Sequence, residues 1–389
     1  MWTSISNIDL RDYKEDTSFL DFVDRVLFLH DASDIKSLRL QSAVDVNSSR
    51  VNSWISASIR HNIEELNLTL KWKTQPVLPC CLFTCQSLVV LKLSMEWPLK
   101  VPSLIQFSNL KTLELSEVTF SDDNSTQYLF SSCPVLQELA LVNCGWENLK
   151  TITIFIPTLK RLTIDGIQDP EGVLSCVTEV YAPNLIHLDC TYCMRVDFRI
   201  YGLSSVVEAS ICINEPIPDR VVIPRVLRLL NGIFNVKKLS IATATLEYLT
   251  VFKSLLGLLP TFYNMTHLVL DGQIYDDSFR VLIDLLEKSP NLESLTLEQI
   301  NEYFDEADWM WGRVPSCFTS SLKTVHMDFF VKGAEETRLV RFLLEHATVL
   351  ERFTFHSLSG ELKSRKVLRR LNKLPRGSKG CVIVDLLPI

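Results

Sequence analysis

The chain has 389 residues, 47% of them hydrophobic and 22% charged, with a formal net charge of −7. This composition is typical of a folded globular protein, and the negative charge predicts no general attraction to nucleic acid or anionic lipid. Only 12 glycines are present, which argues against a glycine-rich linker or a large glycine-loop nucleotide site.

The N-terminal residues, MWTSISNIDLRDYKEDTS, lack the cationic segment and apolar core of a secretory signal. The longest apolar stretch, SLLGLLPTFYNMTHLVL, contains Pro260, Asn264 and His267, which disfavours a membrane span. The sequence therefore predicts a protein of the cytoplasm or nucleus with no membrane partner. Its 11 cysteines are then expected to be reduced thiols.

Two amphipathic helices are predicted near the N-terminus. The first, TSFLDFVDRVLFLH, places these apolar side chains at helical spacing: Phe19, Phe22, Val23, Val26 and Leu27. The second, SSRVNSWISASIR, does so with Val51, Trp54, Ile55 and Ile59.

A short phrase of the form φ-x-x-L-x-L, where φ is apolar, recurs along the chain. It is written LKTLEL, LQELAL and LESLTL in clear copies, and VVEASI, LKTVHM and LERFTF in weaker ones. The first residues of its L-x-L pairs are Leu38, Leu66, Leu91, Leu113, Leu139, Leu162, Leu188, Ala209, Leu239, Leu268, Leu295, Val325 and Phe353. Successive copies lie about 20 to 30 residues apart, which is the period of a leucine-rich repeat.

The alternation of side chains along a β-strand explains the repeated phrase. In a strand, both residues of an L-x-L pair point to one face and the residue between them to the other. Each strand therefore needs neighbouring copies to cover its apolar side, which stacking provides. We predict an α/β leucine-rich-repeat solenoid, a horseshoe with an inner parallel sheet and outer helices or irregular segments.

Outer helices are predicted from DDSFRVLIDLLEKSP, EETRLVRFLLEHA, SDDNSTQYLFSSCP and VFKSLLGLL. The region 194–235 is the least regular and is expected to hold extended strands or an insertion. The usual repeat has Asn or Cys three positions after its last core leucine. Cys144 and Cys193 fit that place, but Val118 and Ile300 stand there in other copies, so we expect the loops to be held mostly by packing.

Several longer stretches carry a family resemblance. They are FVDRVLFLHDASDIKSLRL, SRVNSWISASIRHNIEELNLTL and LFSSCPVLQELAL, and then VPSCFTSSLKTVHMDFFVKGAEETRLVRFLLEHATVLERFTF and RKVLRRLNKLPRGSKGCVIV. Together they resemble plant F-box/LRR proteins with a C-terminal FBD domain. The resemblance implies a post-F-box helical capping region at 1–62, leucine-rich repeats at 63–312, and an FBD region at 313–389 that continues and caps the solenoid.

The resemblance also implies a role. Its members act as substrate receptors of SCF (cullin–RING) ubiquitin ligases, and their F-box docks onto the SCF adaptor. MWTSISNIDL resembles the segment just after that module, so the adaptor is an expected partner only if an F-box lies upstream. The alternative is a truncated LRR/FBD scaffold or competitor without a ubiquitin-ligase role.

No motif predicts an enzyme, a metal site or a cofactor. Cys190 and Cys193 form a lone C-x-x-C without the second pair that a zinc site needs, and H-E-x-x-H and G-x-S-x-G are absent. The basic stretch from Lys363 to Lys379 could bind nucleic acid or an acidic partner. Its apolar residues recur at helical spacing, so we interpret the charges as the solvated side of a docked helix.

The remaining prediction is protein recognition. Strand residues between and beside the leucines should form a polar, preformed concave face that binds a target protein. The predicted binding residues are Asn67, Lys92, Glu114, Thr163, Asp165, His187, Asp189, His267, Asp271, Thr296 and Glu298.

Overall fold

The computed structural model describes residues 4–13, 18–31, 33–168, 176–191, 196–213, 222–250, 257–272, 276–300, 313–329, 337–357 and 367–386. The chain divides into two compact units, an N-terminal unit at Met1–Leu203 and a C-terminal unit at Ser204–Ile389. The division falls inside the region that the sequence marks as least regular. The predicted boundaries at 62/63 and 312/313 follow the family resemblance rather than compactness, and they stay a prediction.

The N-terminal unit is built on a parallel inner sheet. The strands of this unit are β1 (Asn7–Asp12), β2 (Ser37–Val46), β3 (Glu65–Trp72), β4 (Val90–Ser94), β5 (Pro98–Leu99), β6 (Thr112–Ser116), β7 (Thr119–Phe120), β8 (Glu138–Gly145), β9 (Thr151–Phe155), β10 (Arg161–Gln168), β11 (Val177–Tyr181), β12 (His187–Thr191) and β13 (Asp197–Tyr201). The inner sheet runs β1-β2-β3-β4-β6-β8-β10-β12, every pair parallel. Its helices are α1 (Ser18–Phe28), α2 (Ser48–Arg60), α3 (Cys80–Phe83) and α4 (Asp123–Ser131).

The C-terminal unit repeats the plan. Its elements are β14 (Glu208–Cys212), α5 (Val222–Gly232), β15 (Lys238–Ala242), α6 (Thr243–Thr250), β16 (His267–Asp271), α7 (Asp276–Glu287), β17 (Ser294–Ile300), α8 (Ser316–Ser320), β18 (Thr324–Phe329), α9 (Thr337–His346), β19 (Arg352–Ser357) and β20 (Val382–Asp385). Strands β14 to β20 pair in chain order, each parallel to the next.

The register of both sheets follows the repeated phrase. Leu91 pairs with Leu113 and Leu113 with Leu139, so the first core residues of successive coils stand side by side. These leucines are 1–2% exposed, and their counterparts in the C-terminal unit are buried as well. The predicted fold class, an α/β leucine-rich-repeat solenoid with an inner parallel sheet, is confirmed.

Backbone hydrogen bonds lock each coil to the one before it. Two successive amides ahead of the first core residue donate to a single carbonyl of the preceding coil. Lys111 N and Thr112 N donate to Val89 O at 2.8 and 3.1 Å, and Gln137 N and Glu138 N donate to Lys111 O at 2.8 and 2.9 Å. The strand starts are therefore fixed in register before any side chain contributes.

Side-chain hydrogen bonds between coils involve a residue that the sequence reasoning did not assign. Asparagines that open the phrase N-L-x-x-L-x-L donate to a carbonyl of the preceding coil. These bonds join Asn109 to Gln86, Asn184 to Pro157 and Asn291 to Tyr263 at 2.7, 2.8 and 2.8 Å. Cys144 also donates to Leu115 O, at 3.4 Å, while Cys193 lies outside the described residues. Side-chain hydrogen bonds thus add to packing at these coils.

A second sheet in the N-terminal unit was not predicted. Strands β9, β11 and β13 pair in parallel between successive inner strands of the chain. For β9 and β11 the sequence predicts helices or irregular segments, whereas β13 lies in the region 194–235, where extended strands or an insertion were expected. β9 and β11 alternate buried residues with half-buried or exposed ones, and β13 buries Phe198 alone. Ile152 and Ile154 are buried, for example, while Phe155 is 63% exposed. The outer layer is therefore a sheet at these coils.

The predicted helices are largely present. Helices α4, α7 and α9 lie where their apolar spacing placed them. Helix α1 buries Leu20 at 7% exposure and leaves Phe22 at 52%, so its buried side is rotated from the predicted one. The predicted helix VFKSLLGLL falls mostly on 251–256, outside the described residues. The region 194–235 contains β13, β14 and α5, partly the extended strands expected there.

Candidate functional site

The exposed faces of the two inner sheets carry three rows of side chains across the strands. We call them the start row, before the first core residue, the middle row, between the two core residues, and the end row, after the second. In the N-terminal unit the middle row reads Asp9, Arg39, Asn67, Lys92, Glu114, Ala140, Thr163 and Asp189. Because the core residues beneath are buried, each row is held at a fixed spacing.

All eleven predicted binding residues lie in these rows. In the N-terminal unit, Asn67, Lys92, Glu114, Thr163, Asp165, His187 and Asp189 are half-buried. In the C-terminal unit, His267 and Asp271 are exposed, and Thr296 and Glu298 are half-buried. Their placement on the solvent side is as expected from the alternation, and their role in binding stays a prediction.

Four of the five charges in the middle row of the N-terminal unit, Asp9, Arg39, Lys92 and Glu114, are in ion pairs. Lys92 Nζ lies 2.6 Å from Glu114 Oε2. Arg39 Nη1 lies 3.8 Å from Asp9 Oδ2, which is too far for a hydrogen bond. Arg11 holds the same Asp9 carboxylate with two bonds of 2.6 and 2.8 Å, and these bonds lower the pKa of Asp9.

A cleft of about 280 Å³ opens on this part of the face. It lies across β1 to β4, and its polar lining includes Asp9, Arg39, Glu65, Asn67 and Lys92. Two of these residues were predicted as binding residues. Asp9, Arg39 and Glu65 were missed, although Arg39 occupies the middle position of the clear copy IKSLRL and could have been found there.

The far end of the same sheet is acidic. Burial raises the pKa of Asp189. A hydrogen bond from Thr191 Oγ1 at 3.3 Å acts against this rise, and the nearby Asp165 carboxylate adds to it. This end of the face would therefore disfavour a further negative charge.

The C-terminal unit carries a second acidic region in its end row. Asp271, Glu298 and Asp328 stand on adjacent strands, and the pKa of Glu298 is raised by burial and then by the Asp271 and Asp328 carboxylates. His326 Nε2 lies 3.3 Å from Asp328 Oδ1, and His356 Nδ1 lies 3.8 Å from the same oxygen. The sequence reasoning missed Asp328, His326 and His356 because the copies LKTVHM and LERFTF are weak.

The outer sheet presents a row of aromatic rings. Phe155, Tyr181 and Tyr201 are register partners on β9, β11 and β13. The Phe155 and Tyr181 ring centroids are 6.4 Å apart, and those of Tyr181 and Tyr201 are 4.6 Å apart and stacked. Packing between the rings accounts for this row.

Candidate chemistries are few within the described ranges. No three His, Cys, Asp or Glu side chains there are grouped to hold a metal ion. Cys190 is 1% exposed in the core of β12, and no described helix is both long and apolar enough to cross a bilayer. In the basic stretch, Leu371 is buried and Arg376 donates to Cys381 O at 2.8 Å, so part of it is structural.

Comparison with known proteins gives a consistent result. Residues 26–380 match the family model described as the At1g61320/AtMIF1 LRR domain. The chain is 29% identical to the putative F-box/FBD/LRR-repeat protein At1g66290 of Arabidopsis thaliana, over 99% of this chain and 86% of that protein. It is 27% identical to the Arabidopsis F-box/FBD/LRR-repeat protein At5g56420, over 99% and 90%, and 28% identical to the Arabidopsis F-box/LRR-repeat protein 13, over 99% and 88%. The protein therefore belongs to the At1g61320/AtMIF1 family of leucine-rich-repeat domains, among relatives named F-box/FBD/LRR-repeat proteins.

Proposed function

We propose that this protein is a non-enzymatic recognition module that binds a target protein on the exposed faces of its inner sheets. The observation that carries the proposal is the regularity of the three rows. Exposed or half-exposed side chains, most of them polar, stand in these rows over core residues that are buried to within a few per cent. A face that is already ordered loses little conformational freedom when a partner binds.

Within this role, we propose the substrate receptor of an SCF ubiquitin ligase. This proposal is supported by relatives that align with nearly the whole chain and are named F-box proteins. The leucine-rich repeats would select the target, and an F-box would connect them to the adaptor. A scaffold or competitor without a ligase role is the other outcome that an experiment has to separate.

Target binding is tested by proximity labelling in plant cells with charge variants of each face. The double variant K92E/E114K inverts the order of two charges while keeping their ion pair, and D271K changes an exposed carboxylate of the other unit. Matched controls are K100E and R341E, which alter exposed charges away from the rows. We expect partners that disappear with the face variants and remain with the controls. A partner list that none of the four variants changes would contradict the proposal.

The ligase role requires a separate experiment. The protein is expressed from its own gene with a C-terminal tag, and the SCF adaptor and cullin are measured in the purified complex. Recovery of both in stoichiometric amounts supports the receptor role. Recovery of the target partners without the adaptor supports the scaffold or competitor instead.

A further inference from the structure

The cleft on the N-terminal unit has an ordered charge pattern. Across five adjacent strands, the middle row reads Asp9, Arg39, Asn67, Lys92 and Glu114. Its signs are therefore negative, positive, neutral, positive and negative. Asn67 lies between two cations, and each cation has a carboxylate on its outer side.

Two side chains of this cleft make no hydrogen bond within the described residues. One is the Asn67 carboxamide. The other is Arg39, whose ion pair with the Asp9 carboxylate is long at 3.8 Å, and Arg11 binds the same carboxylate with two short bonds. A guanidinium carries five N–H donors and an amide two, so most donors of this pair point to solvent or to a ligand.

Lys92 is the third residue of the cleft with donors for a ligand. Its ammonium bonds Glu114 at 2.6 Å, and the two side chains are 36% and 32% exposed. An ammonium has three donors, so Lys92 can contact a second acceptor without releasing Glu114. Neighbouring strands lie roughly 4.8 Å apart, which places Arg39 and Lys92 on either side of a small group held over Asn67.

The remaining charge in the cleft restricts the ligand. Glu65, in the start row of the same strand as Asn67, is exposed and lines the cleft. It repels an anion but accepts a hydrogen bond from an N–H group. The cleft thus offers donors at its centre and an acceptor at its edge, which fits a peptide with an acidic side chain beside its own backbone amides.

We propose that this cleft is a carboxylate-binding subsite that receives an Asp or Glu side chain of the protein partner, held by Arg39, Asn67 and Lys92. This inference rests on the proposed function and specifies the chemistry of the partner at one site. Bonds from a guanidinium or ammonium to a carboxylate are the stronger kind in proteins.

The test uses labelled peptides of fixed composition and fluorescence anisotropy at low salt. The probe is an acetylated and amidated peptide of Gly and Ser with two Glu, and its counterparts carry Gln or Lys instead. We expect the Glu peptide to bind and the other two not to bind. R39Q and N67A should each weaken the Glu peptide, R39Q by about tenfold, the usual effect of removing a partner from a charged hydrogen bond.

R161Q is the matched control, because Arg161 is an exposed cation on the same face outside the cleft. It should leave the affinity unchanged, and E65Q should raise it. Equal melting temperatures show that the variants fold. Competition by acetate and by inorganic phosphate at equal ionic strength separates the two anions.

The inference would be overturned if the Glu peptide did not bind at millimolar concentration, or if the Gln peptide bound equally well. It would also be overturned if R39Q and R161Q lowered the affinity for the Glu peptide equally. Displacement of the bound Glu peptide by phosphate but not by acetate would overturn it as well. If partners captured in cells remain with R39Q and N67A but disappear with the face variants above, the proposed function stands and this subsite does not. If no partner depends on the face, the proposed function itself fails.

Discussion

Burial of individual cysteine side chains predicts how readily their thiols react. Burial raises the pKa of Cys133, Cys144 and Cys317 to about 12 because the thiolate is poorly solvated in the core. Thiolate is the nucleophile in alkylation, so these three thiols should be inert in the folded protein. Cys80 is exposed and should react first.

Iodoacetamide labelling at pH 8, mapped by mass spectrometry, checks this prediction. We expect Cys80 to be modified within minutes and the three buried cysteines only after urea is added. Because their folded-state pKa lies above the ordinary value, they favour the folded state below about pH 9, and this share of the stability is lost as the pH rises through 9 toward 12. Labelling of Cys144 at the rate of Cys80 in native buffer would contradict the structure.

Glu298 gives a second prediction for a single residue. Burial raises its pKa, and the carboxylates of Asp271 and Asp328 raise it further, so its ionisation opposes folding at neutral pH. The protonated form of Glu298 therefore favours the folded state. This contribution to stability is present below the ordinary glutamate pKa and is lost as the pH rises through the raised pKa of Glu298. E298Q should therefore raise the melting temperature at pH 7, with a gain in unfolding free energy of no more than about 1 kcal/mol. The gain should vanish near pH 4, and a gain of equal size at both pH values would exclude this cause.

The sequence predicted which strand residues lie on the solvent side of the inner sheets, for a physical reason, and their role in binding stays a prediction. A period of two assigns each strand residue to the core or to solvent, so Asn67 and Lys92 could be placed from the phrase alone. The partner of each residue across the strands depends on register and on the weak copies. For that reason the long ion pair between Arg39 and Asp9 and the contact between His326 and Asp328 needed the structure.

Among the secondary-structure elements, the inner strands should dominate stability. Leu113 is 1% exposed in the middle of β6, whereas Leu104 is 62% exposed in a loop. L113A removes buried apolar surface and leaves a cavity, which typically costs about 2–5 kcal/mol. L104A should stay within about 0.5 kcal/mol of the natural protein. Urea denaturation followed by circular dichroism compares them, and similar midpoints for the two variants would contradict the assigned core.

Helix α4 is a second element whose stabilising interaction can be tested, because a side chain caps its N-terminus. The Asp122 side chain accepts from Ser125 N at 2.9 Å, and its bonds with the Ser125 hydroxyl and amide lower its pKa. This support is therefore present above about pH 3.8 and is lost as the pH falls through the lowered value. D122A should cost about 1 kcal/mol at pH 7, while D122N keeps an acceptor and should cost less. Thermal unfolding of both variants at pH 7 and pH 3 measures this, and an unchanged D122A at pH 7 would be the contrary result.

Helices and strands were predicted correctly from the sequence where the spacing of apolar residues was regular over several turns or copies. Helices α7 and α9 repeat apolar residues over three turns, so their sequences alone identify them. The strands TITIF, VTEVY and DFRIY are five residues long, and each gains its stability from the neighbouring strands of the outer sheet. Because such pairing is not local in sequence, TITIF and VTEVY were not distinguished from irregular loops, and DFRIY was covered only by the general expectation of extended strands or an insertion in 194–235.

For the whole molecule, the repeat period predicted the architecture but not its division. Stacked coils contact mainly their neighbours, so stability is close to a sum of local terms. The chain divides at Leu203/Ser204, beside the weak copy VVEASI, where Ala209 replaces a core leucine. A smaller core side chain buries less apolar surface, so the phrase that predicts the coils is weakest beside this boundary.

The same dependence on neighbours predicts graded protection within each unit. In the pairing of the described strands, β1 joins only β2 and β20 joins only β19, while β6 is paired on both sides. β1 buries only Ile8, and the residues of β20 are all at least partly exposed, whereas β6 buries Leu113 and Leu115. Local opening costs less where fewer apolar contacts and hydrogen bonds are broken.

Amide hydrogen exchange resolved by peptide measures this gradient. We expect amides of β1 and β20 to exchange at least about tenfold faster than those of β6 and β17, since one lost neighbour corresponds to more than about 1.4 kcal/mol of opening free energy. L113A serves as the matched variant. It should accelerate exchange in β4, β6 and β8 and leave β17 and β18 unchanged, because coupling between coils is local. Uniform protection from β1 to β20, or acceleration throughout the chain by L113A, would show a single cooperative unit instead of a stack of neighbouring coils.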